Sequence, residues 1–169
     1  MTIAIASIMM TACSLDSYEP EKPFTTDPVP STAPLYACGL PETRSGVEIL
    51  FTEDDIEWFN VTTRKIKFRN MDEPLYKRLQ PFHKIQFNMG DYPLFVVSSF
   101  VGLWDSRVFT DLVLCYGNQE TIEMDGYYLY DCYPLQFIDS DAVKANREKN
   151  AAQWETFTKY LESKGKLRK

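Results

Sequence analysis

Among the side chains that could do acid–base work, carboxylates are the most concentrated, and the densest group is Glu53, Asp54, Asp55 and Glu57. A glycosidase needs two carboxylates facing each other at roughly 5 to 10 Å across a cleft. Four neighbours in one short helical turn cannot supply that alone, and are expected to favour the positive end of the turn and face water. Nor do they carry the D-x-D-x-D spacing and closing Glu of an EF-hand. Asp91, Asp105, Asp111, Asp125 and Asp131 fall at or near expected turns, where turn chemistry accounts for most of them. His83, the single histidine, lies between Phe82 and Lys84 at the start of an expected strand, with no Ser-x-Gly elbow elsewhere. One histidine and the scattered Cys13, Cys38, Cys115 and Cys132 cannot build a common zinc site. The residues therefore point to no catalytic group, no metal and no cofactor.

Aromatic residues are the more suggestive set. Trp58 with Phe59, Trp104, and the run Tyr127, Tyr128, Tyr130 and Tyr133 exceed what one core obviously needs. On a strand Tyr128 and Tyr130 face one side and Tyr127 faces the other with Leu129, so one set is expected to be partly exposed. Exposed rings beside Asn118, Gln119 and Asp carboxylates can stack on sugars or anchor a protein partner. Trp58, Trp104, Tyr128 and Tyr130 are the ligand-binding candidates on this reading. The plainer explanation is that tyrosines favour strands and line a half-buried sheet. Asn60-Val61-Thr62 fits the N-glycosylation pattern and is read as a turn.

The 169 residues allow one compact domain with tails. At 44% hydrophobic and 25% charged the chain has enough apolar residues for a core. A net charge of −6 argues against nucleic acid as a partner. Residues 1–12 are uncharged and apolar through Ile3, Ile5, Ile8, Met9 and Met10, the look of a signal segment and too short to span a bilayer. They lack the Lys or Arg usual before such a segment, so the start codon is expected upstream. Met10-Thr11-Ala12-Cys13 resembles the lipobox of bacterial lipoproteins, with Met10 where Leu is most usual. That resemblance implies cleavage before Cys13, acylation of its thiol and amino group, and a firm bilayer anchor. Residues 13–34 hold Pro20, Pro23, Pro28, Pro30 and Pro34 and read as an extended tether. The whole, including FTEDDIEWFNVTTRKIKF, is similar to uncharacterised envelope lipoproteins of Bacteroidetes.

The elements of a body over 35–169 must position these residues, and the pattern is α+β. A first strand is expected around Val47, Ile49 and Phe51, then a turn from Thr52 and Asp55 leading into a short helix through Ile56 to Phe59. Ile66 and Phe68 alternate with Lys65, Lys67 and Arg69. Asp72 caps a brief helix carrying Leu75, Tyr76 and Leu79. Ile85, Phe87 and Met89 alternate, and Leu94 to Val101 is apolar on both faces. Residues 110–116, 119–124 and 127–133, joined by Gly117-Asn118 and Asp125-Gly126, read as an antiparallel meander. That register puts Cys115 opposite Glu120 and Glu120 opposite Asp131, too far for a Cys115 to Cys132 bridge. Cys38, in an expected irregular segment, is the freer partner, and reduced, buried thiols are the simplest state. A helix near 140–164, capped by Asp139 or Ser140, carries Val143, Arg147, Ala151, Trp154 and Leu161 on one stripe and stops at Gly165. The expected architecture is an antiparallel sheet of six or seven strands covered on one face by that helix.

Function follows mostly by exclusion. The sequence suggests a lipid-anchored protein of the cell envelope with a small non-catalytic domain that binds an envelope protein or glycan. The alternatives are a small glycan-processing hydrolase using Asp and Glu pairs, and a structural subunit of an envelope assembly.

Overall fold

A computed structural model describes residues 33–40, 48–69, 73–101 and 106–169 of the chain. The expected signal segment, Cys13, nearly all of the tether and Trp104 lie outside these residues. The described strands are β1 (Leu35–Leu40), β2 (Glu48–Thr52), β3 (Ile56–Asn60), β4 (Lys65–Phe68), β5 (Lys84–Met89), β6 (Tyr92–Val101), β7 (Val113–Asn118), β8 (Glu123–Tyr130) and β9 (Leu167–Arg168). The helices are α1 (Leu75–Leu79), α2 (Asp141–Lys149) and α3 (Ala151–Ser163). All nine strands join in one sheet in the order β2-β1-β5-β6-β7-β8-β4-β3-β9.

This corrects the expected antiparallel sheet of six or seven strands. Two of the pairings, β6 with β7 and β3 with β9, are parallel, so the sheet is mixed. β1 comes from the segment expected to be irregular, because LYACGL shows no apolar alternation. The expected helix through Ile56 to Phe59 is β3. Its pairing with β4 shifts register between Ile56 and Trp58, so Ile56 and Phe59, three residues apart, are both buried and imitate a helical period. Only residues 53–55 form the helical turn, with the Thr52 N–H donating to Asp55 Oδ2 at 2.7 Å. The expected meander is one hairpin, β7 with β8. Asn118 Oδ1 accepts the N–H groups of Glu120 and Thr121, and Ile122 adopts a left-handed backbone (φ 58°), so 119–122 is loop rather than strand. Cys115 consequently faces Tyr128, not Glu120. Cys38, Cys115 and Cys132 are all buried and free.

The expected long helix is also broken. Ser140 caps α2 through its side chain, but Asn150 lies between α2 and α3 at φ −91°, ψ 0°, and its amide donates to Asp111 Oδ1 at 2.7 Å. An asparagine is a weak helix former, and this outside acceptor holds it at the break.

The sheet is rolled. β2 and β3 are seven strand spacings apart in sheet order, which is about 34 Å if flat. Only three residues link Thr52 to Ile56, a reach of about 14 Å at most. The sheet must curl, and Phe51 of β2 meets Phe68 of β4 with ring centroids 4.9 Å apart. The main core fills the roll, where Phe157 of α3 packs against Phe59, Phe87 and Phe95. A smaller cluster on the outer face of β7 and β8 comprises Val113, Cys115, Tyr128, Tyr130 and Tyr133.

Candidate functional site

The residues singled out by type and spacing are dispersed by this architecture rather than gathered. Tyr128 and Tyr130 do share a side, stacked at 5.3 Å with planes 5° apart, but both are buried, at 3% and 5% exposure. Their hydroxyls are engaged: Tyr128 donates to Asp125 Oδ1 at 2.9 Å, and Tyr130 accepts from the Gln119 N–H at 3.4 Å. Tyr127, on the other side, is half-buried. Trp58 is half-buried on β3, cross-strand from Lys67, with the Arg168 guanidinium 4.2 Å from its ring centre. Trp104 lies outside the described residues.

Most of the remaining sequence candidates act structurally. Glu53 Oε2 accepts the Leu35 N–H at 3.1 Å and Oε1 pairs with Lys164 at 3.3 Å. Asp55 closes its turn, while Asp54 and Glu57 are exposed. Asn60 Oδ1 accepts the N–H groups of Thr62 and Thr63, so the glycosylation-like triplet is a turn. His83 is exposed before β5, its carbonyl accepting from Ser99 N–H at 2.9 Å. Among the described residues, no group of three or more His, Cys, Asp or Glu is arranged to hold a metal.

The structure instead assembles a site that no sequence motif marked. A cavity of about 170 Å³ lies where the β3–β4 turn, the start of β7, the end of β8 and the break between α2 and α3 converge. At its centre Asp131 Oδ2 takes two guanidiniums, Arg64 at 2.8 Å and Arg147 at 3.1 Å. The Arg64 guanidinium also lies 4.5 Å from the centre of the Trp154 ring. Arg64 has a left-handed backbone (φ 63°), a strained position for a non-glycine residue. Burial pulls its pKa down and Asp131 opposes that pull. The second amino group, Nη1, is buried and has no hydrogen-bond partner. Asp111 Oδ1 accepts from the Leu112 N–H and from Asn150, both at 2.7 Å, and Asn146 donates to the Thr110 carbonyl at 3.0 Å.

The chain matches no known protein family, no curated protein and no solved structure. The chemistry of the site must therefore be read from the side chains themselves. Planar carboxylate, amide and guanidinium groups face one small space whose apolar surface comes from Leu112, Ala151 and Trp154. Six of the nine lining residues, Arg64, Asp111, Asp131, Asn146, Arg147 and Asn150, are polar or charged, so the space is rich in hydrogen-bonding groups with one aromatic wall at Trp154. One signal for it was present in the sequence: Arg147 recurs with the apolar positions of the helix, and the structure leaves it exposed with its guanidinium on Asp131.

Proposed function

We propose that the chain is a lipid-anchored envelope protein whose folded body is a non-catalytic binding domain taking a glycan at the Trp154 cavity. The observation carrying this reading is the buried Arg64 Nη1 donor without a partner beside an indole and two carboxylates. Such a donor costs about 1–3 kcal/mol unless an acceptor reaches it. A hydroxyl-rich ligand supplies that acceptor, donates to the remaining oxygens of Asp111 and Asp131, and lays apolar ring faces on Trp154. Calorimetric titration with envelope polysaccharide fragments tests it. Wild type should bind, and Asn146→Ala with Arg147→Ala should weaken binding by about tenfold. Unchanged affinity in that double variant removes the cavity as the site. The anchor is tested by intact mass and detergent partitioning of wild type against Cys13→Ala; an unmodified wild-type mass removes the membrane half of the reading.

A hydrolase is the second reading, because Asp111 and Asp131 line the same cavity. Against it, Asp131 is clamped by two cations and Asp111 is engaged by two N–H donors, whereas a glycosidase needs one carboxyl holding a proton to give away. Release of reducing ends that vanishes in Asp111→Asn would reverse this preference.

A further inference from the structure

The outer side of β4, β3 and β9 lies open among the described residues. Phe59, Ile66 and Leu167 turn into the core, so their strand neighbours turn the other way. The register then sets Trp58 beside Lys67, and Asn60 beside Arg168, on that outer side. Lys65 and Arg69 continue the row along the chain of β4 at intervals of about 7 Å. On the neighbouring β7 and β8 the outer side is closed, because Tyr133 and Leu135 pack on the buried Tyr128 and Tyr130. Lys67, Arg69 and Arg168 stay exposed. Lys65 is held by Asp125, whereas these three cations make no ion pair among the described residues. Glu57 is the only carboxylate that β3, β4 or β9 carries. Three free cations against one carboxylate leave a local positive surplus in a chain of net charge −6. Trp58 sits in the middle of it, half-buried, with the Arg168 guanidinium 4.2 Å from its ring centre.

We propose that this face rests on an anionic lipid bilayer, with Lys67, Arg69 and Arg168 meeting phosphate headgroups and Trp58 lying among them. The outer side of a rolled sheet is convex, so it encloses no small molecule. A layer of headgroups is a surface that such a row meets at several points at once. Indole favours the boundary between headgroups and acyl chains, and the long stems of Lys and Arg keep their charges in the headgroup layer. The place where the chain enters the body suits the same occupant. The Leu35 N–H, at the start of β1, donates to Glu53 Oε2 at 3.1 Å, and the carbonyl of Asp55, two residues on, accepts the Arg69 N–H at 2.8 Å. Chain that precedes β1 therefore joins the body at the Arg69 end of the face, and an anchor at Cys13 would deliver that end to the lipid. The inference takes from the reading above only that a bilayer is near. Each cation near an anionic surface raises partitioning several-fold, which orients an anchored body without holding it there alone.

The test uses the full chain as Cys13→Ala, so that no acyl group contributes, and vesicles of equal parts phosphatidylglycerol and phosphatidylcholine against phosphatidylcholine alone. Residues 1–12 are uncharged and common to every variant, so they create no preference for anionic lipid. Partitioning should favour the anionic vesicles by about tenfold at low salt, and salt should erase the difference. Lys67→Gln with Arg69→Gln, both exposed, should keep the thermal midpoint and lose most of the preference. Lys144→Gln with Lys149→Gln, the same loss of charge on α2, should leave it intact. Bromine-labelled phosphatidylcholine should quench the fluorescence of bound protein, and should quench Trp58→Phe less. Equal partitioning into both vesicles overturns the proposal, as does an equal loss in the two double variants, which would make net charge the cause. Quenching unchanged in Trp58→Phe moves the contact to another face and also overturns it. Polyglutamate provides the last arm: binding that displaces the vesicles at matched charge assigns the face to an acidic protein instead. An unmodified wild-type mass would remove the anchor and leave this result standing.

Discussion

Asp131 is 11% exposed in its side chain, and it is the shared anion of two guanidiniums that differ in burial, Arg64 at 22% and Arg147 at 47%. Its removal leaves Arg64 partly buried without its counter-charge, and Asp131→Ala should cost about 3 kcal/mol of stability. Arg147→Ala removes the outer partner only and should cost under about 1 kcal/mol. Urea unfolding of the two variants checks the ratio; equal losses would mean that Arg64 does not depend on Asp131. Burial also raises the Cys115 thiol from its ordinary value near 9 to about 12, and Tyr127 from near 10 to about 12. In both groups the folded state holds its proton more tightly. Their contribution is therefore complete below pH 9, declines from there as the unfolded groups ionise, and is lost by about pH 12. Unfolding midpoints measured from pH 8 to 12 should fall over that window, and a flat profile would contradict the burial of both groups. Iodoacetamide should leave native Cys115 unlabelled at pH 8, because the protonated, buried thiol is not a nucleophile.

At the scale of elements, Gly39 of β1 lies under Phe82: a Cβ built there would stand 2.4 Å from the ring. Gly39→Ala must displace an aromatic side chain only 8% exposed, and should cost about 2–3 kcal/mol. Thermal unfolding checks this, and a neutral effect would mean that the ring moves freely. The elements divide by how much of their signal is local. Ile66 with Phe68, and Ile85 with Phe87 and Met89, alternate cleanly, and both stretches are strands. Ser140 and Gly165 mark the outer limits of α2 and α3, Gly165 with φ 67°. What was illegible depended on distant partners. Asn150 breaks the helix because Asp111, 39 positions earlier, accepts its amide. Gly126, read as a turn residue, sits inside β8, where a Cβ would stand 2.8 Å from Lys65 Cε. The Trp154 cavity was hidden for the same reason, since Arg64, Asp131 and Arg147 are brought together only by the sheet order. Among the aromatic candidates, Tyr128 and Tyr130 are buried, as β propensity and a half-buried sheet lead one to expect, Trp58 is half-buried, and Trp104 lies outside the described residues.

The whole molecule depends on closing a roll, and Glu53 is where it closes. Its side chain holds the first amide of β1 and Lys164 beyond α3, while its carbonyl accepts Lys166 Nζ. The Phe59 and Val61 N–H groups at the edge of β3 donate to the carbonyls of Lys166 and Arg168. Glu53→Ala should lower global stability by about 1–2 kcal/mol. Amide exchange should accelerate first at Leu35, Phe59 and Val61; uniform acceleration across all strands would refute a local closure. The mixed sheet was not legible from pattern, because alternation reports which face a strand buries and is silent on its neighbours. The pairing of β3 with β9 also sets a timetable. A chain emerging from its N-terminal side makes β3 more than a hundred residues before the two that satisfy its open edge. Until then the strand exposes unbonded amides, a template for pairing with other chains. This edge closes last, at a non-local contact whose closure is slow, and a nascent chain would need shielding over that interval.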